Sequence, residues 1–553
     1  MDTAKRPMYQ WKAIRWAKVE RMVFKLQKRI YRAAQRGATK QVRRLQKLLW
    51  RSRAAKLIAV RQVTQDNRGK CTAGVDGKTA LTPAGRLALM EELKLDGQAQ
   101  PVRRVMIPKP SGTEQRPLGI PTIADRAKQS LVKLALEPAW EAKFEPNSYG
   151  FRPGRSTWDA IGAIYVQINQ KPKWVLDADI AKCFDRIDHA ALLRKLDANP
   201  TVTRQIKAWL QAGVMEVGEL FPTEAGVPQG GPLSPLLANA ALHGLEEMIG
   251  QAFPRRGRTP AVIRYADDLV VLHPDREVIE QGQALMAHWL REMGLELKPS
   301  KTRIRHTLEV VEGGAGFDFL GFNIRQYPSR ARRGYKTIIK PSRVSVTRHH
   351  RQVRDVTTRH RMQRQRRLIE ALNPVIRGWS HYFSTVCSKE TFGKLDDRLR
   401  QRLRAWVRFR HPNKRRKWGY ARYWQREDGK LHFRPRAGGQ RLYFHAETPI
   451  RRHVKVQGRR TPYDGDEVYW STRLGHHPAV KPRTARLLKQ QQGRCRACGY
   501  RLKMGDVLEV DHILARAQGG RDEAANWQLL HRYCHMEKTA QERRRCACQA
   551  PHA

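Results

Sequence analysis

Residues 261 to 272 read AVIRYADDLVVL, in which two apolar, largely β-branched runs stand on either side of a polar centre. This pattern predicts two buried strands joined by a tight hairpin. Two adjacent carboxylates, Asp267 and Asp268, stand at the turn. Because each charge disfavours ionisation of the other, a divalent cation between them would stabilise the pair. A solvated Asp-Asp turn also suits a hairpin, but the run from Tyr265 to Asp268 between apolar strands favours a metal site.

A second acidic strand precedes the hairpin. Residues 174 to 180 read WVLDADI, an apolar run that carries Asp177 and Asp179. Side chains alternate along a strand, so both carboxylates lie on one face. A carboxylate in a buried strand is unfavourable unless it is paired or bound to a metal. This strand is therefore a candidate to complete the metal site, and Phe184 follows Asp179 by five residues.

The chain is strongly basic. Its 553 residues include 107 Lys and Arg against 51 Asp and Glu, a formal charge of +56. A surplus of this size indicates an extended polyanionic partner, for which nucleic acid is the obvious candidate. Apolar residues still make up 40% of the chain, which predicts packed domains rather than a disordered basic tail. The sequence predicts neither a membrane span nor a secretion signal.

Further polar and basic segments surround the acidic strands. Residues 9 to 63 carry apolar residues every three or four positions beside many Lys and Arg, which predicts basic helices. Lys109 and Arg116 lie on either side of a Pro- and Gly-containing turn, where two cations would grip a triphosphate. Scattered surface charge is the alternative. Gln229 lies in a glycine-rich loop, residues 226 to 235, and glycine lets the backbone approach a ligand closely.

The character of the sequence changes near residue 341. Residues 350 to 410 predict basic helices, whereas residues 411 to 485 mix Trp, Tyr, Arg and Pro with weak periodicity and predict a basic, partly irregular linker region. Aromatic and basic residues together suit single-stranded nucleic acid, because the rings stack on bases. The same aromatics would equally cover a small core, and the sequence leaves both interpretations open.

The C-terminal tail predicts a metal site. Five of the eight cysteines fall in the last 60 residues: Cys495, Cys498, Cys534, Cys546 and Cys548. Two pairs of soft ligands separated by a loop, Cys495 with Cys498 and His531 with Cys534, are a strong zinc signal. A second cysteine pair is commoner than a His-Cys pair, so Cys546 and Cys548 compete with His531 for the last position. A purely structural zinc ribbon that binds DNA is the alternative.

The order of these features resembles one protein family. The chain carries, in order, RPLGIP, SYGFRPGRS, VPQGGPLSP, YADD, SKT, FDFLGF and NPVIRGW, at residues 116–121, 148–156, 227–235, 265–268, 300–302, 317–322 and 373–379. This is the motif order of reverse transcriptases. Three of these motifs are typical of a narrower family: RPLGIP, SYGFRPGRS and NPVIRGW. With them, the chain resembles bacterial group II intron-encoded proteins of the chloroplast-like type over almost its whole length. In the tail, Asp511-His512, Asn526 and His535 resemble the HNH nuclease family.

This resemblance implies an α+β fold. It consists of a right-hand polymerase with fingers, palm and α-helical thumb, a helical N-terminal extension and a C-terminal ββα-metal HNH zinc module. The implied divisions are 1–95 for the N-terminal helical RNA-binding extension, 96–340 for the fingers and palm, 341–410 for the thumb or maturase domain X, 411–485 for the basic DNA-binding linker region and 486–553 for the HNH endonuclease with its zinc site.

In the polymerase, the resemblance implies a two-metal site. Asp179, Asp267 and Asp268 would hold two Mg²⁺ ions, one at the primer 3′-hydroxyl and one at the leaving pyrophosphate. Asp177 and Asp185 are also acidic, but the spacing from Asp179 to Phe184 matches the family pattern. The residues implied to bind the dNTP are Lys109 and Arg116 at the triphosphate, Gln229 at the incoming nucleotide, Lys301 near the pyrophosphate and Phe184 beneath the sugar. Alternatively, Phe184 packs the start of the following helix.

In the tail, the resemblance implies a nuclease site. His512 would be the general base that activates water, a role that histidine side chains often take. Asp511 and His535 would hold one Mg²⁺ on the scissile phosphate, and Asn526 would orient the loop that carries His512. The implied ligands of a structural Zn²⁺ are Cys495, Cys498, His531 and Cys534.

The resemblance implies a multifunctional protein. It would be an RNA-directed DNA polymerase, a maturase that assists splicing of intron RNA, and an endonuclease that nicks target DNA for target-primed reverse transcription and intron mobility. The implied partners are group II intron RNA, target DNA and dNTPs, with no membrane, in a bacterial cytoplasm and associated with the nucleoid or a ribonucleoprotein. The alternatives are an RNA-binding maturase without a polymerase role and a host-adapted reverse transcriptase. Removal of the tail near residue 485 is expected to spare polymerisation and splicing.

Overall fold

The computed structural model describes residues 11–548 other than 80–81, 109–114, 255–258, 312, 331–333, 428, 479 and 503–505. The described helices are α1 (Trp16–Gln35), α2 (Thr39–Arg51), α3 (Arg53–Arg61), α4 (Pro83–Glu92), α5 (Ile123–Lys143), α6 (Thr157–Ile168), α7 (Cys183–Arg186), α8 (His189–Leu196), α9 (Pro200–Gln211), α10 (Ser234–Ala241), α11 (Leu245–Ala252), α12 (Arg276–Arg291), α13 (Arg343–Arg359), α14 (Gln365–Tyr382), α15 (Lys389–Arg410), α16 (Arg416–Tyr423), α17 (Glu467–His476), α18 (Pro482–Gln490) and α19 (Arg532–Cys548). The described strands are β1 (Val102–Pro108), β2 (Gln115–Ile120), β3 (Trp174–Asp179), β4 (Val214–Glu216), β5 (Glu219–Phe221), β6 (Ala261–Tyr265), β7 (Asp268–His273), β8 (Arg303–His306), β9 (Phe317–Phe319), β10 (Phe322–Pro328), β11 (Tyr335–Pro341), β12 (Trp424–Glu427), β13 (Lys430–Phe433), β14 (Leu508–His512) and β15 (Trp527–His531). This mixture of helices and sheets confirms the predicted α+β class.

The N-terminal extension is a helical bundle. Helices α1, α2 and α3 pack on one another and on α5, and they bury apolar residues such as Val23, Ile30 and Leu49. Gly37 turns the chain from α1 into α2 with a φ of +69°, a conformation that glycine adopts without strain. The side chain of Ser52 caps α3 by accepting a hydrogen bond from the backbone N–H of the third residue after it. Most of the Lys and Arg side chains in this segment lie on its outer faces.

Two four-stranded sheets lie in the segment predicted to form the fingers and palm. The first has the order β2-β1-β4-β5, and β1 pairs with β2 as an antiparallel hairpin. The second has the order β6-β7-β3-β8, and each neighbouring pair is antiparallel. Strand β7 is buried beyond its first residue, and α6 and α12 pack on the sheet. The second sheet therefore contains the predicted acidic hairpin and, next to it, the predicted acidic strand.

Helices α13, α14 and α15 pack together in the segment that the sequence analysis assigned to the thumb, and they are called the thumb below. Their shared core includes Leu368, Leu399 and Trp406. The NPVIRGW segment lies within α14, where the Trp379 ring stacks on the His349 ring of α13 with centroids 4.6 Å apart. The thumb is therefore held together by the apolar faces of three helices whose outer faces are basic.

The region after α15 is more regular than the sequence predicted. Helix α16 and the β12–β13 hairpin pack on the thumb, and four of their residues and neighbours join its core: Tyr423, Phe433, Leu442 and Phe444. The thumb core therefore continues beyond residue 410. The chain then contacts α6, in which Asp159 accepts a hydrogen bond from the backbone N–H of Val456 at 2.7 Å. Several aromatic residues of this region therefore pack into a core. This agrees with the interpretation that the aromatics cover a small core.

The C-terminal module has a ββα arrangement. Strands β14 and β15 pair antiparallel, with Leu508 opposite His531 and His512 opposite Trp527, and α19 follows directly. The module contacts α1 through α19. Within the part of the chain that the structure describes, no helix is long and apolar enough to cross a membrane.

Candidate active sites

The acidic hairpin is anchored from behind by a buried arginine. The Arg264 guanidinium donates hydrogen bonds to Ser148 Oγ at 2.8 Å, to Asn239 Oδ1 at 3.0 Å and to the carbonyl of Ala266 at 3.2 Å. Ala266, at the turn, has a φ of +58°, the left-handed conformation that tight hairpins use. Gly150 lies against this turn, and a Cβ there would come within 2.3 Å of the Ala266 nitrogen. The turn therefore requires glycine in the neighbouring loop.

The SYGFRPGRS loop is itself fixed by a buried ion pair. Arg152 donates two hydrogen bonds to the Glu141 carboxylate, each at 2.9 Å, and both side chains are 1% exposed. Its remaining donors reach the carbonyls of Glu145 and Ser148 at 2.7 and 2.8 Å. Because a bidentate pair restricts both partners to one geometry, this loop is a rigid support for the acidic hairpin.

Three carboxylates meet where β3 ends and the hairpin turns. Asp179 lies opposite Asp268 in the register of β3 and β7, and Asp267 precedes Asp268. Burial, followed by the charges of Asp267 and Asp179, raises the pKa of Asp268 to about 7. Lys301 Nζ lies 2.5 Å from Asp179 Oδ2, so one ammonium compensates part of the charge. The remaining negative charge fits binding of divalent cations.

A fourth acid shares this face of the sheet. Asp177 is half-buried on β3, two residues before Asp179, as the strand alternation predicted. Burial raises its pKa to about 6, against the opposing effect of Arg305. Asp177 pairs with Val270 in the register, two residues further from the turn than the pair of Asp179 and Asp268. Asp177 therefore lies further from the turn than the three clustered carboxylates.

Two of the candidate nucleotide-binding residues, Arg116 and Gln229, form a chain of hydrogen bonds with Asp185. Arg116 Nε donates to Gln229 Oε1 at 2.5 Å, and Gln229 Nε2 donates to Asp185 Oδ1 at 3.2 Å. The backbone N–H of Gly119 donates to the Gln229 carbonyl at 2.7 Å and ties the glycine-rich loop to β2. The structure therefore brings Arg116 and Gln229 together, whereas Lys109 lies outside the described residues.

Phe184 lies at the base of the same loop. Its side chain is buried, and its carbonyl accepts a hydrogen bond from the Val227 N–H at 2.6 Å. Its ring meets the Phe151 ring edge to face, with centroids 6.4 Å apart. Phe151 is half exposed and has a φ of +58°. This geometry is compatible with both the sugar-contacting role and the packing role of Phe184.

In the C-terminal module, His512 is oriented by an acid that the sequence analysis did not identify. His512 Nε2 lies 3.0 Å from Asp522 Oδ1. Asn526 holds the intervening loop: its Oδ1 accepts from the Leu514 N–H at 2.8 Å, and its amide donates to the carbonyls of Leu514 and Arg521 at 3.0 and 2.9 Å. Asn526 therefore holds the loop that follows His512, through hydrogen bonds to Leu514 and Arg521.

His535 and Asp511 face each other beside His512. His535 Nε2 lies 3.4 Å from Asp511 Oδ1, while its Nδ1 lies 2.5 Å from Glu509 Oε2. Lys538 Nζ lies 2.8 Å from Asp511 Oδ2. A carboxylate at one ring nitrogen directs the other nitrogen towards a metal, so the pair fits a cation. The sequence analysis assigned no role to Glu509 or Lys538, although strand alternation places Glu509 on the face of Asp511.

The four candidate zinc ligands lie close together in the structure. Ligand atoms of Cys495, Cys498, His531 and Cys534, called the zinc cluster below, all lie within 4.8 Å of one another. Three sulfurs and one imidazole are a common set for structural zinc. His531 Nδ1 lies 3.5 Å from Cys498 Sγ, and its Nε2 lies 3.4 Å from Asp506 Oδ2, so a carboxylate orients the ring as at many zinc sites. The side chains of Cys546 and Cys548 lie outside the described residues.

Comparison with known proteins shows which families the chain is similar to. Four family descriptions match: N-terminal domain of reverse transcriptase at residues 11–93, reverse transcriptase (RNA-dependent DNA polymerase) at 107–324, group II intron maturase-specific domain at 346–424 and HNH endonuclease at 495–541. Protein YkfC of Escherichia coli K12 is 31% identical over 363 residues, which are 56% of this chain and 90% of that protein. Group II intron-encoded protein LtrA of Lactococcus lactis is 38% identical over 192 residues, 34% of this chain and 32% of LtrA. Maturase-like protein 1 of Euglena gracilis is 29% identical over 339 residues, 58% of this chain and 67% of that protein.

The fold, the acidic hairpin and the C-terminal ββα module thus define an RNA-directed DNA polymerase joined to an HNH endonuclease. More narrowly, the chain belongs to the group II intron-encoded reverse transcriptase/maturases that carry an HNH domain. The combination of domains is that of a multifunctional intron-encoded protein, as the sequence predicted.

Proposed function

We propose that Asp179, Asp267 and Asp268 bind two Mg²⁺ ions and catalyse DNA synthesis on an RNA template. The observation that carries this proposal is the register of β3 and β7, in which Asp179 lies opposite Asp268 at the turn. When bound, the two ions supply activation of the primer 3′-hydroxyl and charge stabilisation at the pyrophosphate. Lys301 donates a hydrogen bond to Asp179, and its ammonium group places a positive charge beside the reacting phosphates.

The dNTP is held by the residues of the β1–β2 hairpin and the glycine-rich loop. The Arg116 guanidinium, which presents several donors in a fixed plane, binds triphosphate oxygens, and Lys109 adds a second cation. Gln229 contacts the incoming nucleotide from the loop that Gly119 ties down. Phe184 lies beneath the sugar and excludes a 2′-hydroxyl because a packed ring does not move aside easily.

The C-terminal module nicks one strand of target DNA. His512 acts as the general base on a water molecule, and Asp522 stabilises the imidazolium that forms. Asp511 and His535 hold one Mg²⁺, which, when bound, polarises the scissile phosphate. Asn526 keeps the His512 loop in place through its three hydrogen bonds. Zn²⁺ in the zinc cluster stabilises the module and takes no part in the chemistry.

Intron RNA binds the basic helices of the N-terminal extension and the thumb, and this binding assists splicing. One pocket between α15 and α16 supports nucleic-acid contact by the thumb end. Its basic and aromatic lining residues are Arg404, Arg408, His411, Lys414, Arg415, Arg416, Trp418, Tyr420 and Trp424. Arginine next to exposed rings binds unpaired nucleotides by charge and by stacking. The nicked DNA then primes reverse transcription of the intron, which serves intron mobility from a ribonucleoprotein in the bacterial cytoplasm.

Two variants test the two catalytic assignments against each other. Asp267→Asn with Asp268→Asn should lower primer extension on an RNA template by about 10³-fold or more, because two of the three proposed metal ligands lose their charge, while nicking of target DNA is retained. His512→Ala should instead lower nicking of target DNA and retain primer extension. Each variant is the folding control for the other. Normal extension by the Asp267/Asp268 variant, or normal nicking by the His512 variant, would contradict the corresponding assignment.

A further inference from the structure

The zinc cluster lies at the contact between the two ends of the chain. Two tyrosines stand next to its candidate ligands: Tyr500 two residues after Cys498, and Tyr533 immediately before Cys534. Both rings contact arginines of the N-terminal extension, more than four hundred residues away in sequence. The residues that the cluster orders are therefore also the residues that meet α1 and α3.

The first of these contacts is a buried stack. The Arg61 guanidinium carbon of α3 lies 4.6 Å from the Trp16 ring centroid and 6.0 Å from the Tyr533 ring centroid. The Tyr533 ring lies parallel to the His531 ring, with centroids 4.8 Å apart and an interplanar angle of 9°. Trp16, Arg61, Tyr533 and His531 thus form a continuous stack from the N-terminal helices to the zinc cluster. Because stacked cations and rings attract when water is excluded, this stack stabilises the contact.

The charge of Arg61 is compensated within the same contact. Its side chain is 7% exposed, and its guanidinium nitrogens lie 3.3 Å from Glu20 Oε1 and 3.3 Å from Asp66 Oδ2. Asp66 also pairs with Arg532 of the C-terminal module, at 3.6 Å. Burying an arginine is favourable only where carboxylates and rings replace its water. Loss of the C-terminal module would expose this arrangement on one side.

The second contact is more exposed. The Arg21 guanidinium carbon of α1 lies 4.1 Å from the Tyr500 ring centroid, and Arg21 donates a hydrogen bond to the Tyr500 hydroxyl. Tyr500 follows the turn at Gly499, whose φ is +72°, and its position depends on the loop that Cys495 and Cys498 close. An ordered loop is thus needed to present the Tyr500 ring to Arg21.

We propose that the zinc cluster is a clasp: metal bound there docks the endonuclease module on helices α1 and α3 and so joins the two ends of the chain. This proposal rests on the zinc site proposed above. By thermodynamic linkage, if zinc strengthens the docking, then the docking strengthens zinc binding by the same factor. Removal of zinc should therefore loosen α1, and weaker docking should in turn speed the release of zinc.

The first measurement follows backbone amide exchange in the full-length protein before and after removal of zinc by a zinc-selective chelator in Mg²⁺ buffer. The clasp predicts that amides of α1 and α3 exchange faster once zinc is removed, whereas those of the β6–β7 hairpin do not change. The second measurement is the rate of zinc transfer to a chromogenic chelator. Arg21→Ala and Tyr500→Ala should each release zinc about fivefold faster than the wild type, and Tyr500→Phe should fall between.

Arg29→Ala is the matched control, because Arg29 is an exposed arginine on the same helix and should leave the release rate unchanged. All of these substitutions are at the surface, so the variants should fold. Zinc release that is equal in wild-type, Arg21→Ala and Tyr500→Ala protein would overturn the clasp, as would unchanged exchange in α1. If the purified protein binds no zinc, the proposed zinc site fails and the clasp with it. Zinc binding without a response in α1 overturns the clasp alone.

Discussion

At the scale of single residues, Phe184 is the position at which two roles can be separated by experiment. A polymerase that copies RNA into DNA must reject ribonucleotides by their 2′-hydroxyl, and this requires a repulsive contact. Phe184 is buried against Phe151 and the loop of Gln229, so its ring has little freedom to move. We expect Phe184→Ala to raise the efficiency of rNTP relative to dNTP incorporation by about tenfold or more, measured with matched nucleotide pairs. An unchanged ratio in an active variant would make Phe184 a packing residue.

At the scale of elements, polymerisation depends on how the SYGFRPGRS loop supports the acidic hairpin. A Cβ at Gly150 would meet the Ala266 nitrogen at 2.3 Å, so Gly150→Ala must push the turn that carries Asp267 away. A displacement of about 1 Å at a catalytic group lowers rates by about 100-fold, and we expect a loss of that order in primer extension. Gly250→Ala is the matched control, because nothing lies within 4 Å of a Cβ there. Equal activity of the two variants would contradict the supporting role of the loop.

At the scale of the whole molecule, the charge of +56 predicts how RNA is bound. Each phosphate that is neutralised by Lys or Arg releases counterions, so affinity falls steeply with salt. We expect the protein to bind its own intron RNA with such a salt dependence and to assist its splicing at lowered Mg²⁺. Competition with an unrelated RNA of equal length measures specificity. If the unrelated RNA competed equally well, the charge would explain the binding and the maturase assignment would fail.

The docked C-terminal module changes the expected effect of truncation. The sequence indicated a separable tail, whose removal near residue 485 would spare polymerisation. In the structure, Leu487, Leu488 and Tyr533 belong to the same buried cluster as Trp16, and Arg61 lies between Trp16 and Tyr533. We therefore expect truncation near residue 485 to lower Tm by about 5 °C and to reduce polymerisation. Full-length His512→Ala, which keeps the module but lacks the proposed base, is the control. An unchanged Tm after truncation would restore the sequence-based expectation.

Features whose signals lie within a few residues were determined by the sequence itself. Apolar runs on either side of Asp267 and Asp268 predicted the hairpin, and alternation along β3 placed Asp177 and Asp179 on one face. The paired soft ligands predicted the zinc cluster in the same way. These signals are local, because strand alternation and metal-ligand spacing depend on the geometry of a short stretch of chain.

Only the tertiary structure decided which distant groups meet. A single sequence contains many similar cations and carboxylates. Strand alternation places Glu509 on the face of Asp511, but nothing in the sequence indicates that Glu509 meets His535 or that Asp522 meets His512. The same holds for the thumb core beyond residue 410, where weak periodicity concealed buried aromatics, and for Arg61 against Tyr533. Such contacts depend on the path of the whole chain, since burial and pairing are set by neighbours that lie close in space and far apart in sequence.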